Sequence, residues 1–269
     1  DKRIDSFIKV ELNKFRNDFS VISEESGQKK LDSEYVWIID SIDGTKELIS
    51  RSDEFTINIA LIRNKLPIFG GIYQPLKDTI FLGGSDLSPI KIKGTKTLAL
   101  KNQENELCNI VISKSHSSDR EREFYRKVLS NFGQSKILKM GSSLKFCSIC
   151  DGKADFYPRF GNINSWDIAA GHAILKAFGG NILDLDLNEI SYELNKNQLI
   201  KGFYAFSSQN RLNFLREKVL WDYFYNFLVK KYHSKLPREI DKIKSLPGVG
   251  DYTSNVLAAL IASSTLLSQ

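Results

Sequence analysis

The residues Tyr35-Val36-Trp37-Ile38-Ile39 run without a break into Asp40-Ser41-Ile42-Asp43-Gly44-Thr45. An uninterrupted apolar run of this length and composition reads as a buried strand. The strand then ends on two carboxylates three positions apart. Close carboxylates repel, and neither ionises comfortably in apolar surroundings, so the pair is costly unless a cation sits beside it. Hard divalent cations such as Mg²⁺ take carboxylate and carbonyl oxygen and keep several waters. The adjoining Gly44-Thr45 can offer backbone N–H groups to a phosphate at the start of a turn or helix. Taken alone, the six residues also fit a polar turn with an aspartate cap, and both readings stay open.

Three further motifs bear on the choice. Ser23-Glu24-Glu25-Ser26 is a second acidic pair, just after the apolar stretch 19–22. By itself it fits a solvated polar loop. Asn164-Ser165-Trp166-Asp167-Ile168-Ala169-Ala170-Gly171-His172-Ala173 places Asp167 at the start of a small-residue helical run, with Asn164 or Ser165 as N-cap. An aspartate there is also what the helix macrodipole favours without any ligand. Gly141-Ser142-Ser143-Leu144-Lys145-Phe146 and Tyr157-Pro158-Arg159-Phe160-Gly161 read as a polar turn and a strand end, each carrying one cation.

Together these motifs resemble the magnesium-dependent, lithium-sensitive inositol monophosphatase superfamily, and within it the CysQ-type 3'(2'),5'-bisphosphate nucleotidase branch. The resemblance runs in order and spacing over about residues 1–210. Besides the motifs above it rests on Lys46-Glu47, on Glu54-Phe55-Thr56-Ile57-Asn58-Ile59-Ala60-Leu61, and on Ile112-Ser113-Lys114-Ser115-His116. It implies an α+β fold, a layered α-β-α-β-α sandwich of the sugar-phosphatase type, with the metal site between the two halves.

It also implies site roles. Glu24, Asp40 and the Ile42 carbonyl would hold one Mg²⁺, and Asp40, Asp43 and Asp167 a second. Two such ions clamp the attacking and leaving oxygens of an in-line displacement. Thr45 would take the attacking water's proton, with Asp1 as its relay partner, and Glu25 would support the first ion from behind. The phosphate would rest on Gly44 and Thr45. Ser113 and His116 would touch the nucleotide, and Ser142, Ser143 and Lys145 would line the sugar and second phosphate. Arg159 would pair with a phosphate, whose geometry a guanidinium matches. By their own surroundings, His116 also reads as a surface histidine and Lys145 as a solvated helix residue. His172 reads as a packed or capping histidine.

The implied reaction is Mg²⁺-dependent hydrolysis of the 3'-phosphate of adenosine 3',5'-bisphosphate to AMP, serving sulfur assimilation. The alternatives are an inositol monophosphatase, or an inactive truncated fusion with weak DNA binding through its tail. The implied partner is a small nucleotide bisphosphate, and the implied location cytoplasmic, peripheral to the inner membrane at most. Two departures stand out. Ser41 replaces the family's usual proline, which loosens the loop without removing a ligand. The chain also starts at Asp1, where the family has further N-terminal helices, so exposed apolar surface is expected near this end.

The 269 residues, 42% of them hydrophobic, suffice for a sizeable core. No apolar run reaches membrane-spanning length, and no secretory signal is visible. Cys108, Cys147 and Cys150 read as reduced thiols; Cys147-x-x-Cys150 lies in a helical stretch without partner ligands. The net charge of +6 suits an anionic nucleotide as well as nucleic acid, and oligomeric state is left open. Helical spacing of Ile4, Phe7, Ile8, Leu12 and Phe15 is followed by strands at about 35–40, 55–63, 67–74 and 78–83, read as an antiparallel meander. Strands at 109–113, 136–140 and 154–160 then alternate with helices near 118–132, 143–151 and 165–177, and 203–207 is a last strand.

Residues 1–215 therefore read as the phosphatase domain and 216–269 as an all-α appendage. Within the appendage, Leu246-Pro247-Gly248-Val249-Gly250-Asp251 joins two helical stretches and resembles the helix-hairpin-helix segment of adenine DNA glycosylases over about 235–262. In such a turn the N–H groups at Gly248 and Gly250 can hold a DNA phosphate. The resemblance does not extend to a catalytic aspartate, a catalytic-glutamate helix or iron–sulfur cysteines.

Overall fold

The computed structural model describes residues 1–25, 33–102, 108–114, 119–132, 135–192 and 199–215. His116 and the whole appendage, with Gly248 and Gly250, lie outside the described residues. The first half is helix α1 (Lys2–Phe15) and a seven-stranded sheet: β1 (Ser20–Ser23), β2 (Tyr35–Asp43), β3 (Thr56–Arg63), β4 (Leu66–Gln74), β5 (Thr79–Gly84), β6 (Leu87–Lys93) and β7 (Lys96–Ala99). The strands lie in sequence order. β1 pairs parallel with β2, and every later neighbour is antiparallel. The expected meander is there, and it runs two strands further than the sequence suggested. A short helix, α2 (Thr45–Ile49), interrupts it after β2.

The second half contains β8 (Ile110–Ser113), α3 (Asp119–Phe132), β9 (Ile137–Met140), α4 (Leu144–Cys150), β10 (Phe156–Arg159), β11 (Ile163–Asn164) and α5 (Ser165–Phe178). It continues with β12 (Asn181–Leu183), β13 (Leu199–Ile200), β14 (Phe203–Phe206) and α6 (Gln209–Leu215). The second sheet has the order β12-β14-β10-β8-β9, and β11 pairs separately with β13.

Helix α5 is the keel between the sheets. Asn164 caps it, and the Asp167 carboxylate closes the capping box by accepting the Asn164 N–H at 3.2 Å. Gly179, at φ 96°, ends it in the left-handed conformation that only glycine adopts cheaply. All but Asp167, Lys176 and Ala177 are buried, because one face meets the first sheet and the other meets α4 and the second sheet. Its small residues permit that closeness. Ile38, Ala60, Ile62 and Ile72 of the first sheet share one core with Ile168, Ala169, Ala170 and Ile174 of α5. A second core lies beyond the second sheet, where Phe124, Tyr125 and Val128 of α3 and Leu212 of α6 cover Ile110, Ile112, Phe156 and Tyr204.

The layers are therefore α1, first sheet, α4 with α5, second sheet, α3 with α6, which is the α-β-α-β-α sandwich expected. Against β2, α1 leaves Phe7, Val10 and Phe15 outward at 65%, 52% and 75% exposure. All three cysteines are buried free thiols whose pKa values burial pushes up. His172 is packed as expected, between the Tyr192 hydroxyl at 3.0 Å and Asn181 Oδ1 at 2.8 Å. Burial pulls its pKa down to about 4, so it is neutral. No helix among the described residues is long and apolar enough to cross a membrane.

Candidate metal centre and anion cleft

Residues 40 and 43 of a regular strand would face opposite sides of the sheet. Here they do not, because β2 carries a bulge. Asp40 is opposite Asn58, but Asp43 is opposite Thr56, so three steps on β2 match two on β3. The extra residue turns Asp43 to the side of Asp40. That side faces the N-terminal turn of α5, where Asp167 projects. The ligand-type oxygens of Asp40, Asp43 and Asp167 all lie within 4.8 Å of one another. Glu24, just beyond β1, completes the group through a side-chain hydrogen bond with Asp40. Glu25 lies close enough to add repulsion to Glu24.

The electrostatics show what this convergence costs. Burial, then repulsion from Asp43, Asp167 and Glu24, pushes the Asp40 carboxyl up to about 10. Burial and Asp43 push Asp167 up to about 7, against the Asn164 N–H that favours its ionised form. Desolvation also raises Glu24. Among the described residues no lysine or arginine forms an ion pair with Asp40, Asp43 or Asp167. Lys145 Nζ, which feels the charges of Asp43 and Asp167, donates to the Ser142 carbonyl instead. A cluster of carboxylates without its own cation fits hard divalent ions. The donor set therefore suits the ion or ions expected here.

Asp43 and Asp167 of this cluster also line a cleft of about 280 Å³, together with Gly44, Thr45, Ser113, Ser142, Ser143, Lys145 and Arg159, among others. It thus brings together most of the residues singled out in the sequence. Gly44, at φ 94°, is the N-cap of α2, whose first-turn N–H groups have no intrahelical partner. Thr45 is exposed, and its hydroxyl reaches the Ile42 carbonyl only weakly, at 3.5 Å. Lys145 is buried under the Tyr157 ring, and desolvation brings its pKa down to about 8. It is thus not the solvated helix residue its sequence context also allowed. Arg159 donates to the Asn162 carbonyl at 3.1 Å, while its buried Nε has no hydrogen-bond partner among the described residues, as is true of the Ser142 hydroxyl.

Two positions make contacts other than those expected. Asp1 is exposed at the N-cap of α1, and among the described residues no hydrogen bond joins it to Thr45. Ser143 reaches the cleft wall, but its hydroxyl is engaged 2.8 Å from Asp43 Oδ2 and 2.9 Å from the Asp167 carbonyl. It orients the acidic cluster. Two further participants had no role assigned from sequence. Glu54 accepts the Gly141 N–H at 2.7 Å and the Lys114 ammonium at 2.6 Å, so one carboxylate of the first half holds two cleft loops of the second. Asn58 binds both Asp43 and Ser143. Its sequence signal was a polar residue in phase with Ala60 and Ile62 on the buried side of β3.

The inositol monophosphatase family model matches residues 1–213. The 3'(2'),5'-bisphosphate nucleotidase CysQ of Buchnera aphidicola is 39% identical over 171 residues, 63% of this chain and 63% of that protein. The Escherichia coli K12 protein of the same name is 37% identical over 168 residues, 62% and 66% of the two chains. The aligned stretch thus spans just under two thirds of these relatives' length. Among solved structures, CysQ from Bacteroides thetaiotaomicron superposes with a TM-score of 0.64 at 30% identity, covering 71% of this chain and 78% of that one.

Proposed function

Because the chain belongs to the inositol monophosphatase family, we propose that it is a Mg²⁺-dependent phosphatase that removes the 3'-phosphate of adenosine 3',5'-bisphosphate. The observation that carries this is one small cleft lined by groups of both signs. Asp40, Asp43 and Asp167 converge with no ion-pair partner among the described residues, and Asp43 and Asp167 line the same cleft as Lys145 and Arg159. A ligand with one phosphate at the metal-loaded acidic cluster and a second anionic group at Lys145 and Arg159 satisfies both sets of residues. The relatives named as bisphosphate nucleotidases support that substrate class.

When bound, Mg²⁺ supplies charge neutralisation and lowers the pKa of water, which phosphate ester hydrolysis at neutral pH needs. The residues that would hold it are Glu24, Asp40, Asp43, Asp167 and the Ile42 carbonyl, with Glu25 supporting Glu24. The N–H groups of Gly44 and Thr45 hold the phosphate undergoing attack. Thr45 Oγ1 receives the attacking water's proton while its own passes on, with Asp1 the acceptor inferred from family likeness. Ser113 and Ser142 line the nucleotide side, and Lys145 and Arg159 bind the second phosphate.

Phosphate release by the full chain with Mg²⁺ tests this, with adenosine 3',5'-bisphosphate, inositol 1-phosphate and AMP compared with and without lithium. Lithium-sensitive turnover of the bisphosphate is expected. Equal or better turnover of inositol 1-phosphate would move the protein to the inositol branch. Folded protein that turns over none of them would overturn the proposal.

A pH effect follows from Lys145. Its pKa of about 8 means that the ammonium is charged below that value and neutral above it. KM for the bisphosphate is therefore expected to rise as pH climbs through about 8. In Lys145→Met, KM should be raised throughout and lack that limb. A wild-type KM that stays flat from pH 7 to 9 would remove Lys145 from phosphate binding.

A further inference from the structure

We propose that Asn58, backed by Thr56, is a positioning residue that sets the affinity of the acidic cluster for its divalent cation. The inference rests on the metal-dependent phosphatase proposal above. Strand β3 alternates with period two, so that Thr56, Asn58, Ala60 and Ile62 are buried and the residues between them less so. Two polar side chains on a core face are costly unless their hydrogen bonds are complete. Thr56 is 0% exposed and Asn58 1% exposed, so their bonds have to come from the protein.

They do, in one orientation. Asn58 Nδ2 lies 2.9 Å from Ser143 Oγ and 3.3 Å from Asp43 Oδ2. The amide nitrogen thus faces Asp43 and Ser143, and the amide oxygen faces the other way. There the oxygen accepts the Thr56 hydroxyl at 3.0 Å. Ser143 Oγ takes a proton from Asn58 and has one of its own to give, shared between Asp43 Oδ2 at 2.8 Å and the Asp167 carbonyl at 2.9 Å.

Donation thus runs from Thr56 to Asn58, from Asn58 to Asp43 and Ser143, and from Ser143 onward to Asp43 or α5. One oxygen of Asp43 is held by two neutral donors. The network joins β3, the end of β2, the start of α4 and the first turn of α5. These are the elements whose relative placement sets the spacing of the carboxylates. Such buried networks are strong when every member is satisfied, and each link polarises the next. Partners that orient a metal's ligands typically change metal affinity by about 10–100-fold when removed.

Calorimetric titration of the full, metal-free chain with MgCl₂ tests the inference, alongside melting of the metal-free protein and kinetics over a range of Mg²⁺ concentrations. In Asn58→Leu the Mg²⁺ Kd is expected to rise about 10–100-fold. Excess Mg²⁺ should restore kcat, and substrate KM at saturating Mg²⁺ should stay at the wild-type value. Thr56→Val keeps the shape and removes only the donor behind Asn58, so it remains informative if the leucine variant fails to fold. Its Kd should rise less, but in the same direction. A merely structural role would lower the melting temperature and leave the Kd of the folded protein within twofold of wild type, and that result in both variants overturns the inference alone. Wild-type protein that binds no Mg²⁺ would overturn the phosphatase proposal and this inference together.

Discussion

Asp40→Asn is expected to lower phosphate release by about 10³-fold or more, the scale seen when a group stabilising developing charge is lost. The same change is expected to make the metal-free protein more stable at pH 8. The sign follows from linkage. Asp40 has a folded pKa of about 10, against about 3.9 in an unfolded chain. A carboxyl whose pKa is raised by folding contributes stability that is complete below about pH 3.9 and is lost as pH rises toward the folded value. Asp167, raised to about 7, adds to that loss over the lower part of the range.

The metal-free wild type should therefore melt progressively lower from pH 5 to pH 8, and an uncharged amide at position 40 should flatten the slope. At pH 8 the buried Asp40 carboxyl has to hold a proton that it would release when unfolded, and an amide that needs none is expected to stabilise by about 1–3 kcal/mol. At this chain length that is a rise of roughly 2–12 °C. Mg²⁺ should raise the melting temperature of the wild type, by mass action on the folded state, and leave the variant nearly unmoved. Melts at pH 5 and pH 8, with chelator and with Mg²⁺, decide it. A variant that melts below wild type at pH 8 in chelator would mean that Asp40 is already compensated without a metal ion.

That divided result, activity lost and stability gained, separates a functional carboxylate from a structural one, and the sequence held most of what was needed to expect it. The run ending in Asp40 was legible because burial on both faces leaves an unbroken apolar stretch. Asp167 was legible because a small-residue helix with a polar cap announces its own start. The bulge was not. Nothing in Asp40-Ser41-Ile42-Asp43 says that three residues will match two on the neighbouring strand, and yet that mismatch makes the two carboxylates converge.

Strands β6 and β7 were also unreadable. β6 mixes Pro89 and lysines with its apolar residues, and all four residues of β7 are exposed, so neither offers a clean alternation. Ser143 was given the sugar and second phosphate by the family resemblance of Gly141-Ser142-Ser143-Leu144-Lys145-Phe146. Which of two adjacent hydroxyls turns inward depends on Ser142 taking a left-handed φ of 44°, a property of the folded loop and not of its composition. Asn58 was visible as a polar residue in a core-facing phase, but its partners come from 15 and 85 residues away. Only the packing of α4 and α5 on the first sheet brings them together.

That packing is the subject of the second large effect, expected in Gly70→Ala. Gly70 lies in β4 beneath the middle of α5, and a Cβ there would sit 2.2 Å from the Ala170 carbonyl oxygen and 2.9 Å from its carbon. Both are backbone atoms, so no side chain can swing aside to relieve the clash. Helix α5 would have to lift off the sheet, but its other face is pressed against α4 and the second sheet. Overpacking usually costs about 1–3 kcal/mol. With backbone on both sides of the clash, the upper end or beyond, roughly 3–5 kcal/mol, is expected. Asp167 lies one turn before Ala170, so any chain that folds by lifting α5 also draws a ligand away from Asp43. Mg²⁺-dependent stabilisation should then disappear along with the lost denaturation midpoint. Gly161 supplies the control from the same molecule: a Cβ there meets nothing within 4 Å, and Gly161→Ala is expected to stay within about 0.5 kcal/mol of wild type. Equal stability of the two alanine variants in urea would mean that α5 does not lie as close to β4 as Gly70 allows.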